Sequence, residues 1–434
     1  MPVSQFIRDC KGGVAPLLGL ALVPMTLAIG AAIDYSRASS VRAAMQAAGD
    51  ATALMLARSP SILSGNQLEQ KAADFFLANF HRPEATNVQV AATYAQGTSG
   101  FGVTVNGSAS VRTNFMSLVG FSQIPLTTTG SVNWNNSKLR VALVLDNTGS
   151  MSQYGKMTAL KSAAKNLLTQ LQQAAVNNSD IYVSIIPFAK DVNVDPANYN
   201  QNWIDWSGSS DTWDENNGTC SRHTYTTQSA CVAHRKTWTP KNHNTWNGCV
   251  MDRDQNYDTT NTAPTTGSTL FPAEQYSYCP VPVMALSYDW TALNTKIDAM
   301  TPNGGTNQAI GLQWGFQSLT SPPLYVPPMD PNYQYKQYII LLTDGLNTQD
   351  RWYGDGSTPS SQVDARQQIL CNNVKAAGIT LYTVQVNTDG DPTSTLLQQC
   401  ASDPSKFFLL TSANQIVTTF DTIGTSLTML HLSK

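Results

Sequence analysis

The sequence predicts an α/β fold with a doubly wound, mostly parallel sheet, and three observations carry that prediction. Residues 139–145 (Leu-Arg-Val-Ala-Leu-Val-Leu) and 339–342 (Ile-Ile-Leu-Leu) are short apolar runs of the kind found in strands buried on both faces. Each run leads to an acid, Asp146 or Asp344, with small polar residues close behind. From Lys138 onward, helical and strand patterns alternate as a doubly wound fold requires.

The chain before that point reads differently. Residues 14–33 carry no charge and, at 1.5 Å per helical residue, reach about 30 Å, one hydrocarbon thickness. They are expected to form a transmembrane helix that follows a short cytoplasmic N-terminus, residues 1–13. The alternative is a secretory signal peptide, because Ala28-Ile29-Gly30-Ala31-Ala32 has the small residues a cleavage site needs. A retained anchor is preferred, since the helical pattern runs on through an Ala-rich stretch from Asp34 to Arg58 without a turn signal. Arg8 and Lys11 before the span are balanced by Arg37 and Arg42 after it, so charge alone does not orient it. A second helix is expected from Asn66 to Phe80. Strands are expected at Asn87–Tyr94, Phe101–Val111 and Pro125–Trp134, where alternation is broken by Gly and by Asn106-Gly107. Residues 34–136 thus form a small α+β region.

Residues 137–434 form the main domain. Met157–Val176 is an amphipathic helix with Leu160, Ala164, Leu167, Leu168 and Leu171 on one stripe, and Ile181–Phe188 is a buried strand. At about 195–285 an insertion interrupts the pattern, with five of the nine Trp, four Cys and three His and little periodicity. A structureless loop of that length is improbable, so a disulfide-linked insertion is expected. Leaving after a strand parallel to 139–145, it would emerge beside Asp146, either as a recognition rim or as a stabilising flap whose Trp side chains pack inward. Helices at Trp290–Met300, Asn307–Leu319, Val363–Ala377 and Asn414–Leu430 and strands at Tyr338–Thr343, Ile379–Val386 and Phe407–Leu410 complete the fold.

Composition narrows the function. Charged residues are 13% of the chain while neutral polar residues abound, as in exported proteins. A net charge of −3 with no Lys/Arg run excludes a nucleic-acid footprint. Six of the seven cysteines follow the apolar segment, which places the large C-terminal part in an oxidising compartment and leaves Cys10 on the reducing side. Cys371 and Cys400 are expected to pair with each other. Cys220-x-x-His223 and Cys231-x-x-His234 also have the spacing of a zinc site, but disulfides among Cys220, Cys231, Cys249 and Cys279 fit the compartment better.

The chemistry lies at the strand ends. In an open α/β sheet, ligands sit outside the carboxyl ends of the strands, where Asp146, Thr148 and Ser150 would present a carboxylate and two hydroxyls. That is half a shell for a hard cation, which needs about six oxygens. Taken alone, Asp-Asn-Thr-Gly-Ser serves equally well as a helix N-cap. Thr306, after Gly304-Gly305, and Asp344 supply further oxygens. Together Asp146, Thr148, Ser150, Thr306 and Asp344 resemble the metal-ion-dependent adhesion site (MIDAS) of von Willebrand factor A domains, with Thr148 in place of the first Ser. The resemblance implies a divalent cation such as Mg²⁺, with Mn²⁺ and Ca²⁺ as alternatives, and a protein partner that presents a carboxylate.

Lys11-Gly12-Gly13 before an apolar helix that continues into Arg42-Ala43-Ala44-Met45-Gln46-Ala47-Ala48 resembles the N-terminal region of TadE/TadG-like proteins of tight-adherence (Flp) pilus systems. Pilins cut by prepilin peptidase usually carry Glu five residues after the cleaved Gly; counted from Gly13 that position is Leu18, so the helix is expected to serve as an anchor. The resemblance implies a single-pass inner-membrane protein with its large part in the periplasm or at the cell surface, acting with pilus components or a cell-surface target. A pilus scaffold with an unused metal site is the alternative. A metal-assisted hydrolase ranks last, because no nucleophile or general base accompanies the metal residues.

Overall fold

The computed structural model describes residues 14–57, 65–97, 100–134, 137–175, 177–207, 211–331 and 333–432. The expected cytoplasmic segment 1–13, with Arg8, Cys10 and Lys11, lies outside them, as do the predicted helix ends Arg58 and Val176. The chain divides into two compact units, one up to Asn136 and one from Ser137.

In the first unit the uncharged stretch and the Ala-rich stretch form one helix, α1 (Val14–Ala57), with Pro24 inside it. Its outer half buries Ala38, Val41, Met45, Ala48, Ala53 and Leu56, spaced at three, four or five residues so that one stripe faces the core. That stripe meets Leu68, Ala72 and Phe76 of α2 (Gly65–Asn79) and an antiparallel meander of β1 (Ala85–Gly97), β2 (Gly100–Arg112) and β3 (Gln123–Trp134). Helix and sheet approach closely at Gly130, where a Cβ would lie 2.6 Å from the Gly49 carbonyl carbon. Asn106-Gly107 does not end a strand. Gly107 pairs with Val90 and Thr128 in mid-β2, where a Cβ would come within 3.2 Å of the Phe76 ring, so its role is clearance for Phe76 rather than turning.

The second unit is an eight-stranded mixed sheet between two helical layers. Its parallel core comprises β4 (Ser137–Asp146), β5 (Ile181–Phe188), β9 (Gln334–Thr343), β10 (Thr380–Val386) and β11 (Phe407–Leu410). In space β5 and β9 flank β4, with β10 and β11 beyond β9, so in chain order the parallel strands run 2-1-3-4-5. On one face α3 (Lys156–Ala174), α4 (Trp290–Ala299) and α8 (Asn414–Leu432) pack, and the predicted stripe Leu160, Ala164, Leu167, Leu168 and Leu171 is fully buried. On the other, α5 (Gln308–Thr320) and α6 (Ser361–Ala376) cover Ala142, Val144, Ile339 and Leu341. Cys371 of α6 is joined to Cys400 of α7 (Thr395–Cys400), the pair expected.

After β5 the chain turns back as β6 (Val192–Asn193), leaves the sheet, touches it again at β7 (Cys249–Val250), and returns as β8 (Met284–Ser287), antiparallel to β5. The stretch between is short bridges and single turns held by Cys220–Cys231 and Cys249–Cys279. Cys220 and Cys231 are bonded to each other, which takes both sulfurs out of the alternative zinc set with His223 and His234. The Trp side chains pack inward: Trp206 stacks on His243 at 3.8 Å and meets Trp213 and Trp246 edge-on, and the last two are almost fully buried. That is the flap arrangement for the tryptophans.

Candidate metal centre

The strand order places a topological switch point between β4 and β9, where connections leave in opposite directions and open a crevice at the carboxyl ends. Asp146 closes β4 and Asp344 follows β9 directly, so the two acids stand on neighbouring strands at that crevice. The apolar runs bury them: Asp146 is 0% and Asp344 2% exposed.

Each carboxylate is held by named partners. Asp146 Oδ1 accepts from the Thr148 amide at 2.8 Å, and its Oδ2 accepts from the Thr343 hydroxyl at 2.6 Å. Asp344 Oδ1 accepts from the Ser150 hydroxyl at 2.7 Å, and Thr148 Oγ1 lies 3.1 Å from Ser150 Oγ. Thr306 arrives on a loop tied to both strand ends. Gly149 N donates to Gly304 O (2.9 Å), Asn303 N to Asn147 O (2.8 Å), and Thr306 N to Thr348 Oγ1 (2.9 Å). A Cβ on Gly345 would lie 3.9 Å from Thr306 Oγ1 and 4.0 Å from Ser150 Oγ, so both hydroxyls border one small space. Asp146, Thr148, Ser150, Thr306 and Asp344 therefore converge from three separate loops.

Two features were missed from sequence. Lys156, the first residue of α3, is fully buried and donates to Asp344 Oδ2 at 2.8 Å and to Asp389 Oδ2 at 2.5 Å. Its signal was available: a lysine continuing the apolar stripe one turn before Leu160. Asp389 sits in a polar loop after β10 with nothing local to mark it. The insertion also reaches the site: Gly305 N donates to the Tyr276 hydroxyl at 3.2 Å, the Lys190 ammonium lies 5.2 Å from the Tyr276 ring centre, and Cys279 anchors the segment three residues on.

Burial dominates the electrostatics here. Burial, and then the charge of Asp344, push the Asp146 carboxyl up to about 7. Burial also raises Asp344, against the pull of Lys156 and Ser150. Burial works to lower the Lys156 ammonium, but its bonds to Asp344 and Asp389 outweigh that and raise it. Among the described residues no three His, Cys, Asp or Glu side chains gather as a metal cluster; the donors are two carboxylates and three hydroxyls. Oxygen-only donors at low net charge suit a hard ion that keeps some water.

Comparison with known proteins finds a family match at each end of the chain. Residues 12–58 match the family model of putative Flp pilus-assembly TadE/G-like proteins, and residues 268–422 match the von Willebrand factor type A domain. The chain thus carries a TadE/G-like segment near its N-terminus and a von Willebrand factor A domain in its C-terminal part. The A-domain match spans Thr306 and Asp344, and Asp146, Thr148 and Ser150 precede it. Similar solved structures include the pilus adhesin SpaC from Lactobacillus rhamnosus GG, at 13% identity and TM-score 0.37 over 81% of this chain and 36% of SpaC. Others are the vWF domain of the type V pili tip protein Mfa5 from Porphyromonas gingivalis (9%, 0.37, 69% of this chain and 98% of that one) and proximal thread matrix protein 1 from the mussel byssus with a zinc-occupied MIDAS motif (12%, 0.33, 68% and 46%). The chain spans about a third of the length of SpaC. No curated protein sequence matches it. The apolar part of α1 is long enough to cross a bilayer, and with the TadE/G-like match it fits membrane anchoring.

Proposed function

We propose that this TadE/G-like protein is a membrane-anchored binding protein of the tight-adherence pilus system. Its A domain holds a divalent cation, Mg²⁺ in the first place and Mn²⁺ or Ca²⁺ as alternatives, through Asp146, Thr148, Ser150, Thr306 and Asp344. The bound cation supplies a Lewis-acidic position that a carboxylate of a protein partner can occupy. The observation that carries the reading is the convergence of these five oxygen-bearing side chains at the switch point of the sheet. α1 anchors the chain in the inner membrane. The disulfides favour the periplasm or the cell surface for the A domain, where a pilus component or a surface target is the partner.

One observation favours a second reading, a pilus scaffold with an unused site. Lys156 and Ser150 already occupy both oxygens of Asp344, and Thr148 and Thr343 both oxygens of Asp146. Titration calorimetry of the full chain in detergent separates the two. Mg²⁺ or Mn²⁺ should bind the wild type and not Asp146→Asn or Ser150→Ala, neither of which strands the Lys156 charge. A folded wild type that binds none of Mg²⁺, Mn²⁺ and Ca²⁺ refutes the cation site and leaves the scaffold reading.

A further inference from the structure

The β2–β3 connection of the first unit carries an apolar tip that its own unit leaves uncovered. Phe115, Leu118, Val119 and Phe121 are 41%, 76%, 53% and 62% exposed, and residues 113–122 contain no Asp, Glu, Lys or Arg. The loop is tightly built. Met116–Val119 is a 3₁₀ turn closed by Gly120 at φ +96°, Phe121 N donates to Met116 O, and the Thr113 hydroxyl donates to Phe121 O. A fixed apolar tip differs from singly scattered surface residues, which need no explanation.

Where the loop is attached decides what covers it. The Asp34 carboxylate, 2% exposed, accepts from the amides of Asn114, Phe115 and Met116 at 2.8 to 3.2 Å. Phe115 lies against Gly30, where a Cβ would come within 2.5 Å of it. The dock on α1 is thus the end of the uncharged stretch, and Gly30 stands three residues inside Ile33, about 5 Å along the helix axis. Below it the exposed side chains of α1 are Leu18, Leu20, Leu22, Val23, Met25 and Ile29; just above stand Tyr35, 67% exposed, and Arg37, the aromatic and basic types that mark a bilayer surface. The tip is therefore continuous with the apolar face of α1 at the depth where hydrocarbon gives way to headgroups.

We propose that the Thr113–Ser122 loop is a second membrane contact, inserting Leu118, Val119 and Phe121 into the interfacial layer of the bilayer that α1 crosses. With Asp34 as a clamp, it fixes the folded unit against the membrane instead of leaving it to swing on a single helix. The proposal rests on the membrane-anchored reading and is independent of the metal.

The test uses the full chain with Cys10→Ser, reconstituted into phosphatidylcholine/phosphatidylglycerol vesicles that contain a lipid-borne nitroxide quencher. Single cysteines carrying an environment-sensitive fluorophore replace Leu118, Phe121, Ile29 and Met55. Labels at 118 and 121 should lose about half or more of the fluorescence that the Ile29 label loses, while the label at Met55, on the exposed outer part of α1, is unchanged. Gly30→Leu, which takes the space of Phe115, should reduce quenching at 118 and leave Ile29 as it was. Quenching at Ile29 with none at 118 or 121 overturns the proposal, and cross-linking between copies at 118 would then identify a second copy as the occupant. Absence of quenching at Ile29 refutes the anchored reading itself and the loop proposal with it.

Discussion

Replacing Lys156 with Met probes the centre of the site most directly. Met keeps much of the length and apolar stem of Lys, so the packing of α3 against β4 is preserved and the change is chiefly one of charge. The ammonium sits 2.8 Å from Asp344 and 2.5 Å from Asp389; Lys156 and Asp344 side chains are fully buried, whereas Asp389 is 31% exposed. Asp389 recovers solvent when its partner goes, but Asp344 keeps only the Ser150 hydroxyl beside the buried Asp146 carboxyl. Breaking one side of a buried pair costs about 3–5 kcal/mol. At roughly 2–4 °C per kcal/mol for a domain somewhat smaller than this one, the A domain should melt about 6–20 °C lower in EDTA. If the site takes a cation, Mg²⁺ at about 100 times the wild-type dissociation constant returns about 2.7 kcal/mol to the wild type, and the same concentration returns more to the variant, which binds more tightly because its carboxylates have lost their counter-charge. The assay is thermal unfolding by near-ultraviolet circular dichroism of the full chain in detergent, with and without Mg²⁺. A variant that melts within about 2 °C of wild type in EDTA refutes the buried-pair reasoning, since that is under 1 kcal/mol. A large loss that Mg²⁺ does not mend leaves the pair standing and refutes the cation site.

Two further outcomes follow from neighbouring residues. Burial, then the charges of Asp350 and Asp258, push Asp252 up to about 8, and it accepts from Asn307 Nδ2 at 2.8 Å beside the Thr306 loop. Its folded pKa lies above its unfolded one, so the folded state retains a proton that the unfolded chain has released, and stability falls as pH rises from about 4 to 8. Asp252→Asn keeps an oxygen for Asn307, should flatten that slope, and should raise stability at pH 7 by roughly 2–4 kcal/mol, measured as melting temperature against pH. Tyr276→Phe removes only the oxygen that accepts from Gly305 N. It should leave melting nearly unchanged and weaken Mg²⁺ binding about 3- to 10-fold by calorimetry, the loss of one hydrogen bond that positions the loop; unchanged affinity would show that the insertion does not set Thr306.

Much of this was legible because it is written locally. A buried parallel strand must be apolar on both faces, so a run such as Val141–Leu145 that stops at Asp146 announces both the strand and its functional end. In the second unit α3 is marked by its apolar stripe, and α1 by its lack of charge. What was missed depends on contacts between segments distant in sequence. β8 is four residues of edge strand whose only recommendation is the free side of β5, 100 residues earlier. Asp389 matters because Lys156 lies across the crevice from it, and Tyr276 because a disulfide and a lysine hold it against Gly305. Asn106-Gly107, a local turn signal, stays inside the expected strand Phe101–Val111, where Phe76 leaves little room for a Cβ.

Lys156 also constrains what a cation at this site would be for. In a structural metal site the unliganded donors repel one another, and binding free energy becomes folding free energy. Here protein groups tie the ends of β4 and β9 together, through Thr343 to Asp146, Ser150 to Asp344 and the ammonium between Asp344 and Asp389. A fold held by these ties does not need the cation in order to form, so on the proposed function the cation's part is to present a coordination position to an incoming ligand group. On the proposed function, chelation should therefore abolish partner binding at a concentration where the wild-type A domain stays folded, and the fold should depend on metal only after Lys156 has been removed.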